Sequence, residues 1–271
     1  MKKMENLIVI GANGMLGYAV TEYFLRKGYD VTALTRKDYD IAKDSINKLE
    51  TFVKQVEVVI NCAGVIKSVI NNSTIEDVLQ VNSIFPHNLA NLCNKYSIKC
   101  FHITTDCVYS GKKGNYDEND YFDAYDVYGM SKNAGDIKDC MTLRTSIIGE
   151  EKGQQRSLLE WAKSQKGKEV NGYTNHYWNG VTTVYLAEVI HKIILEGLYQ
   201  NGIFHIFSPN SVDKYELLKN INDVYKLELN INPIEFETVI NRTLNSIYDL
   251  SNQLAIKSIN LQVKEMKDFF E

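Results

Sequence analysis

The stretch NLIVIGANGMLG, residues 6–17, restricts this chain more than any other. An apolar, β-branched run ends at three glycines, Gly11, Gly14 and Gly17, and the chain then continues at helical spacing through Leu16, Val20 and Phe24. A strand that passes straight into a helix across glycines needs a reason for each of them. Gly11 would make the tight turn, Gly14 would let another molecule approach the backbone, and Gly17 would let the helix pack closely on the strand. The N–H groups at the helix start, around Asn13, Gly14, Met15 and Leu16, have no acceptor within the helix and sit at its positive end, which suits phosphate. In this strand-then-helix setting the glycines predict a dinucleotide cradle.

The rest of the first half repeats the alternation. VTALT (31–35), EVVINCAG (57–64), IKCFHITT (98–105) and CMTLRTS (140–146) read as strands. Residues 15–28, 44–55 and 75–96 read as helices, the last kinked near Pro86. Strands and helices alternating at this spacing predict an α/β fold, a doubly wound parallel Rossmann sheet covered on both faces. Beyond about residue 150 the pattern changes: helices at 154–165, 183–198 and 214–225, a strand at 202–207, and a polar, aromatic, turn-rich loop at 168–180. No flexible linker marks a boundary. Residues 1–150 are expected to form the dinucleotide-binding domain, and 151–271 a smaller, tightly packed, mainly substrate-binding part interwoven with it.

At 271 residues and 44% hydrophobic content the chain can bury a substantial core. A net charge of −4 without a basic cluster argues against a nucleic-acid partner and leaves an anionic small molecule open. No apolar run approaches the roughly 18 residues of a membrane span. The short apolar run after the opening lysines reads as a first strand rather than a secretory signal, so a cytoplasmic protein is expected. Five cysteines without a C-x-x-C pair read as free thiols, with no disulfide framework and no metal site. Whether the chain forms a homodimer is left open.

Four further motifs bear on chemistry. Arg36 and Lys37 stand at the end of the second strand, where an acid would take the ribose 2′-hydroxyl of NADH. A cation there suits the 2′-phosphate of NADPH, with NADH as the alternative because Asp38 and Asp40 are close by. Ala63 and Gly64 end the third strand, where small residues let a flat cofactor pass. Thr105 ends the fourth strand as a candidate donor to a substrate carbonyl, with Asp106 beside it. Tyr128 and Lys132, four apart at a helix start, share one helix face. An ammonium there is expected to stabilise phenolate and lower a pKa ordinarily near 10.

Taken together, these segments resemble the extended short-chain dehydrogenase/reductases. GANGMLG, TTDCVYSGKKGNYDEND, VYGMSKNAGD and LRTSIIG are similar to motifs of the dTDP-4-dehydrorhamnose reductase branch, in the same order. The resemblance implies Thr105, Tyr128 and Lys132 as the catalytic trio, Tyr128 and Lys132 also touching the cofactor, Asn82 near that cofactor, and Asp40 and Ile41 near its adenine. It implies NADPH-dependent reduction of a keto group, expected at C4, on a nucleotide-activated deoxy-sugar destined for cell-surface polysaccharide. Asn175, His176, Trp178 and Arg242 are the candidate contacts to the nucleotide-sugar substrate, with Arg242 suited to phosphate. Cys107 stands where the branch has an aromatic, and Asp136 where it has Glu. A nucleotide-sugar epimerase or dehydratase would use the same Tyr and Lys, and a non-catalytic NADP-binding regulatory subunit would retain the cradle. Asp106–Cys107 lacks the Asp-Glu pair of the dehydratases.

Overall fold

The structure is a computed structural model that describes residues 5–153 and 157–271. The first half runs β1 (Asn6–Ile10), α1 (Met15–Arg26), β2 (Asp30–Leu34), α2 (Ile46–Val53), β3 (Val58–Asn61), α3 (Ile75–Leu79), α4 (Phe85–Lys95), β4 (Lys99–Thr105), α5 (Val127–Ala134) and β5 (Met141–Thr145). The second half adds β6 (Ile147–Ile148), α6 (Leu158–Ser164), β7 (Glu169–Tyr173), β8 (His176–Trp178), β9 (Val181–Thr182), α7 (Thr183–Leu195) and β10 (Gly202–His205). It ends with β11 (Val212–Asp213), α8 (Lys214–Tyr225), β12 (Asn230–Ile234), β13 (Ile240–Asn241), α9 (Asp249–Leu254) and α10 (Ile259–Phe270).

Six strands form one parallel sheet in the order β10-β5-β4-β3-β1-β2. Alternation along β1 explains its two covered faces. Leu7 and Val9 join the core under α1 and α7, while Ile8 and Ile10 join the core under α2 and α4. Each fully buried side chain of this size contributes about 1.5–3 kcal/mol. From β1 the chain steps outward to β2, then returns to β3 on the other side. The carboxyl ends of β1 and β3 therefore flank the crevice where open α/β sheets bind ligands.

One expectation is corrected and one refined. The helix expected over 75–96 runs unbroken from Ile75 to Lys95, and its irregularity is a π-turn at Gln80–Ile84 just ahead of Pro86, which lies in the first turn of α4. Proline has no N–H to give to the carbonyl of Asn82, four residues back, and the widened turn absorbs that loss. The supposed loop at 168–180 contains β7 and β8. Their partners are β12 for β7, and β11 and β13 for β8, segments 34 to 64 residues downstream that no local pattern reveals. The helix expected from Gln154 is seen from Leu158; Gln154, Gln155 and Arg156 lie outside the described residues. All five cysteines are free thiols.

Candidate active site

The glycine turn has the geometry its spacing requires. Gly11 has φ of +79°, a left-handed conformation, and a Cβ there would come within 2.9 Å of the Ala63 backbone. A Cβ on Gly17 would lie 2.1 Å from the Gly11 carbonyl oxygen, so helix and turn pack without side chains between them. Gly14 is the N-cap of α1 and supplies no side-chain cap, and no acid lies in the first turn. By contrast α3, α5, α6, α7, α8 and α10 all carry a Ser, Thr or Asp cap. The uncapped donors around Asn13, Met15 and Leu16 thus remain available to an anion. A cavity of about 310 Å³ opens here, lined by Asn13, Tyr18, Lys152 and Gly153.

At the end of β2, Asp38 turns back on Thr35, accepting from its backbone N–H at 2.9 Å and its hydroxyl at 2.7 Å. Those bonds hold its carboxyl below the ordinary range. Asp40 accepts from the Ala42 N–H, and Ile41 is buried in the core below. Arg36 and Lys37 are exposed, with no ion pair among the described residues.

Asn82 is placed by the π-turn. Its Oδ1 accepts from the Val65 N–H at 2.8 Å, and its Nδ2 donates to the Val65 carbonyl at 2.9 Å and to Ser131 Oγ at 3.1 Å. The amide thereby ties the β3 loop to α5. A Cβ added at Gly64 would lie 3.5 Å from Asn82 Oδ1 and 3.6 Å from Lys132 Nζ, so this glycine leaves a gap bounded by an amide oxygen and an ammonium. Lys132 Nζ donates to the Ile103 carbonyl at 3.3 Å, and burial holds its pKa below the usual lysine value.

Asp126 caps α5 by accepting from the Gly129 N–H at 2.8 Å, which sets Tyr128 one turn before Lys132. Thr105 accepts from the Cys107 N–H at 3.1 Å and donates to Asp106 Oδ1 at 3.2 Å. It also stands close enough to the Tyr128 phenol to act on its pKa. The expected depression of the Tyr128 pKa by Lys132 is not found. Burial pushes the phenol well above its ordinary value, Cys107, Asp106 and Asp126 add to the rise, and Thr105 opposes it. Desolvation of the phenol is the largest of these effects. The phenol is consequently protonated throughout the neutral range.

Asp106 is buried, and burial raises its pKa against the pull of Arg242, Thr105 and Lys214. Arg242 Nε donates to the Tyr109 carbonyl at 2.8 Å and Nη2 to that of Ser110 at 3.2 Å, so much of this guanidinium is committed to the segment after β4. Asn175 clasps Phe236 through both its carbonyl and its N–H, as Asn179 clasps Leu244. His176 lies against Tyr173 and Phe236, and burial lowers its pKa. Trp178 is buried, with the Lys214 ammonium 5.9 Å from its ring centre. Lys214 belongs to no sequence motif. The one local signal is its place in DKYE, a lysine in the first turn of a helix where acids are favoured.

A family description, the RmlD substrate binding domain, matches residues 4–267. Over 98% of its length the chain is 25% identical to the spore coat polysaccharide biosynthesis protein SpsK of Bacillus subtilis, 95% of which is covered. Over 49% of its length it is 32% identical to dTDP-4-dehydrorhamnose reductase of Mycobacterium tuberculosis, 45% of which is covered. The solved structure of dTDP-4-dehydrorhamnose reductase from Bacillus anthracis, in complex with NADP, superposes with a TM-score of 0.80 at 21% identity, covering 98% of this chain and 99% of that one. At that identity the superposition speaks to fold alone.

Proposed function

The chain belongs to the RmlD substrate binding domain family, within the extended short-chain dehydrogenase/reductase fold, and on that footing we propose an NADPH-dependent reductase of a nucleotide-activated deoxy-sugar. The reacting group is a ketone, at C4 by analogy with the reductases it resembles. The product is a precursor of cell-surface polysaccharide, as the name of the spore coat relative suggests.

One observation carries this reading. The Gly64 gap is bounded by Lys132 Nζ and Asn82 Oδ1, and one helical turn from Lys132 stands a phenol that burial keeps protonated, with Thr105 beside it. When bound, the reduced nicotinamide supplies a hydride to the carbonyl carbon. Tyr128 gives its proton to the carbonyl oxygen: the raised pKa keeps the acid loaded, and the alkoxide that develops there, more basic than a phenolate, takes the proton. The Thr105 hydroxyl turns from Asp106 to donate to the same oxygen. Lys132 and Asn82 would hold the ribose that carries the nicotinamide, and the Lys132 charge would offset the phenolate left behind. The residues fit the cofactor at its other end also: the open N–H groups of α1 suit the pyrophosphate, and Arg36 and Lys37 suit a 2′-phosphate.

The test is NADPH oxidation against 4-keto-6-deoxy sugars carried on thymidine, uridine and guanosine diphosphates. Consumption with at least one substrate is expected. Tight NADPH binding with no consumption across the panel would sink the reductase and favour a binding subunit.

A further inference from the structure

Lys132 carries a charge that its surroundings do little to support. It is 5% exposed, and among the described residues its ammonium makes a single hydrogen bond, to the Ile103 carbonyl at 3.3 Å. Burial lowers its pKa from the ordinary lysine value. A buried ammonium without a counter-charge gives up its proton readily, yet the charged form is the one that would hold the ribose and offset a phenolate. The groups facing it from other elements bring no negative charge. His102 of β4 is neutral. Asn61 Oδ1 takes the Ala63 N–H, so Asn61 Nδ2 donates to His102 Nδ1 at 3.1 Å, and burial, Lys132 and His87 of α4 all push the imidazole pKa down. The β3 loop and the π-turn offer Gly64 and the Asn82 amide. On its own helix, Tyr128 stays protonated one turn before it.

The exception is Asp136, four residues after Lys132. The chain past α5 stays wound, with the Gly135 N–H on the Lys132 carbonyl and the Asp136 N–H on the Asn133 carbonyl, both at 3.1 Å. It is also pressed onto the π-turn: a Cβ on Gly135 would lie 1.9 Å from the Asn82 carbonyl oxygen. These contacts fix Asp136 one turn beyond Lys132. Its side chain is 2% exposed, and Oδ2 pairs with Arg144 Nη2 at 2.7 Å. Arg144 spends its Nη1 on His205 at 2.8 Å and Tyr109 at 3.1 Å. Oδ1 of Asp136 is buried with no hydrogen-bond partner among the described residues. Half of the carboxylate is thus left over by the arginine. Asp136 is the carboxylate that acts on Lys132, and it acts to keep the proton there, through an interior that screens charge poorly.

We propose that Asp136 is a positioning residue for the reaction: the part of its carboxylate that Arg144 does not use holds the Lys132 ammonium in its charged form, ready for the cofactor ribose. Arg144 fixes the carboxylate in place and so does double duty, as a bond in the core and as the anchor of a counter-ion. The inference rests on the reductase reading for the role of Lys132, but it is measured by cofactor binding, without keto-sugar or turnover.

The experiment is fluorescence titration of NADPH at a series of pH values, from neutral up to the ordinary lysine value of 10.5, with the thermal midpoint of each sample as the control for folding. In wild type the affinity should fall along an alkaline step that Lys132→Met lacks. Asp136→Asn should bring that step down by about one to two pH units, and Asp136→Glu, which keeps the charge, should leave it in place. Because Asp136→Asn strands the Arg144 charge in the core, the series includes Asp136→Asn/Arg144→Met, which removes the pair together and should show the same lowered step. A carboxylate that served only to pair with Arg144 would weaken binding equally at every pH. An unmoved step in the folded variants therefore overturns the inference, and so does a wild type without a step that Lys132→Met removes. A lowered step in protein that reduces no keto-sugar upholds the role of Asp136 at the cofactor site, while the reductase reading fails on its own test.

Discussion

Replacing Gly64 with alanine separates folding from cofactor binding. The added methyl would sit 3.5 Å from Asn82 Oδ1 and 3.6 Å from Lys132 Nζ, both ordinary contacts. Gly64 is not among the positive-φ residues, so alanine meets no backbone strain. Stability should change by less than about 0.5 kcal/mol, or rise slightly as the unfolded chain loses freedom. The methyl nevertheless fills the gap through which a ribose hydroxyl would reach the ammonium. Loss of one hydrogen bond to a charged group costs about 1.5–3 kcal/mol, which is on the order of 10- to 150-fold in Kd. NADPH fluorescence titration gives the affinity, and thermal unfolding of the same sample gives the stability. A folded Gly64→Ala protein that binds NADPH as the wild type does would refute the assignment of this gap to the cofactor.

Three further outcomes are expected. Tyr128→Phe should lower turnover by at least ~10²-fold with NADPH affinity little changed, by stopped-flow and titration; unchanged turnover removes Tyr128 from the chemistry. Asp136→Asn should destabilise by about 3–5 kcal/mol in denaturant unfolding, because Asp136 pairs at 2.7 Å with Arg144 in the core and its loss leaves a buried cation short of its counter-charge; a change no larger than at an exposed pair would contradict this. His205 accepts from Arg144 at 2.8 Å and donates toward the Asn245 carbonyl, and burial followed by the Arg144 charge pushes its pKa down to about 4 from 6.5. Above pH 6.5 this costs nothing, and as pH falls from 6.5 toward 4 the unfolded chain takes up the proton first, so stability should drop by at most about 3 kcal/mol. Unfolding free energy measured across that range should show the slope in wild type and lose much of it in His205→Gln.

Local spacing determined a large part of the protein. The β-branched run before Gly11 and the helical spacing after it define a strand, a turn and a helix within some twenty residues, and the contacts concerned are close in sequence. The four-residue step from Tyr128 to Lys132 on one face follows from helix geometry alone. The tertiary structure decided what depends on partners far along the chain. β10 completes the sheet beside β5 by pairing residues 61 positions apart, Met141 with Gly202 through Arg144 with His205, and no pattern in GIFHIF names that neighbour. Asn82 reaches Val65 and Ser131 only because a π-turn widens the helix ahead of Pro86. Asn175 and Asn179, polar residues in an apparent loop, turned out to brace backbone, whereas Lys214 was brought beside Asp106 by strand pairing. The sign of the Tyr128 shift belongs to the same class: a charge four residues away can be read from sequence, but desolvation is a property of everything packed around the phenol, and here it is the larger effect.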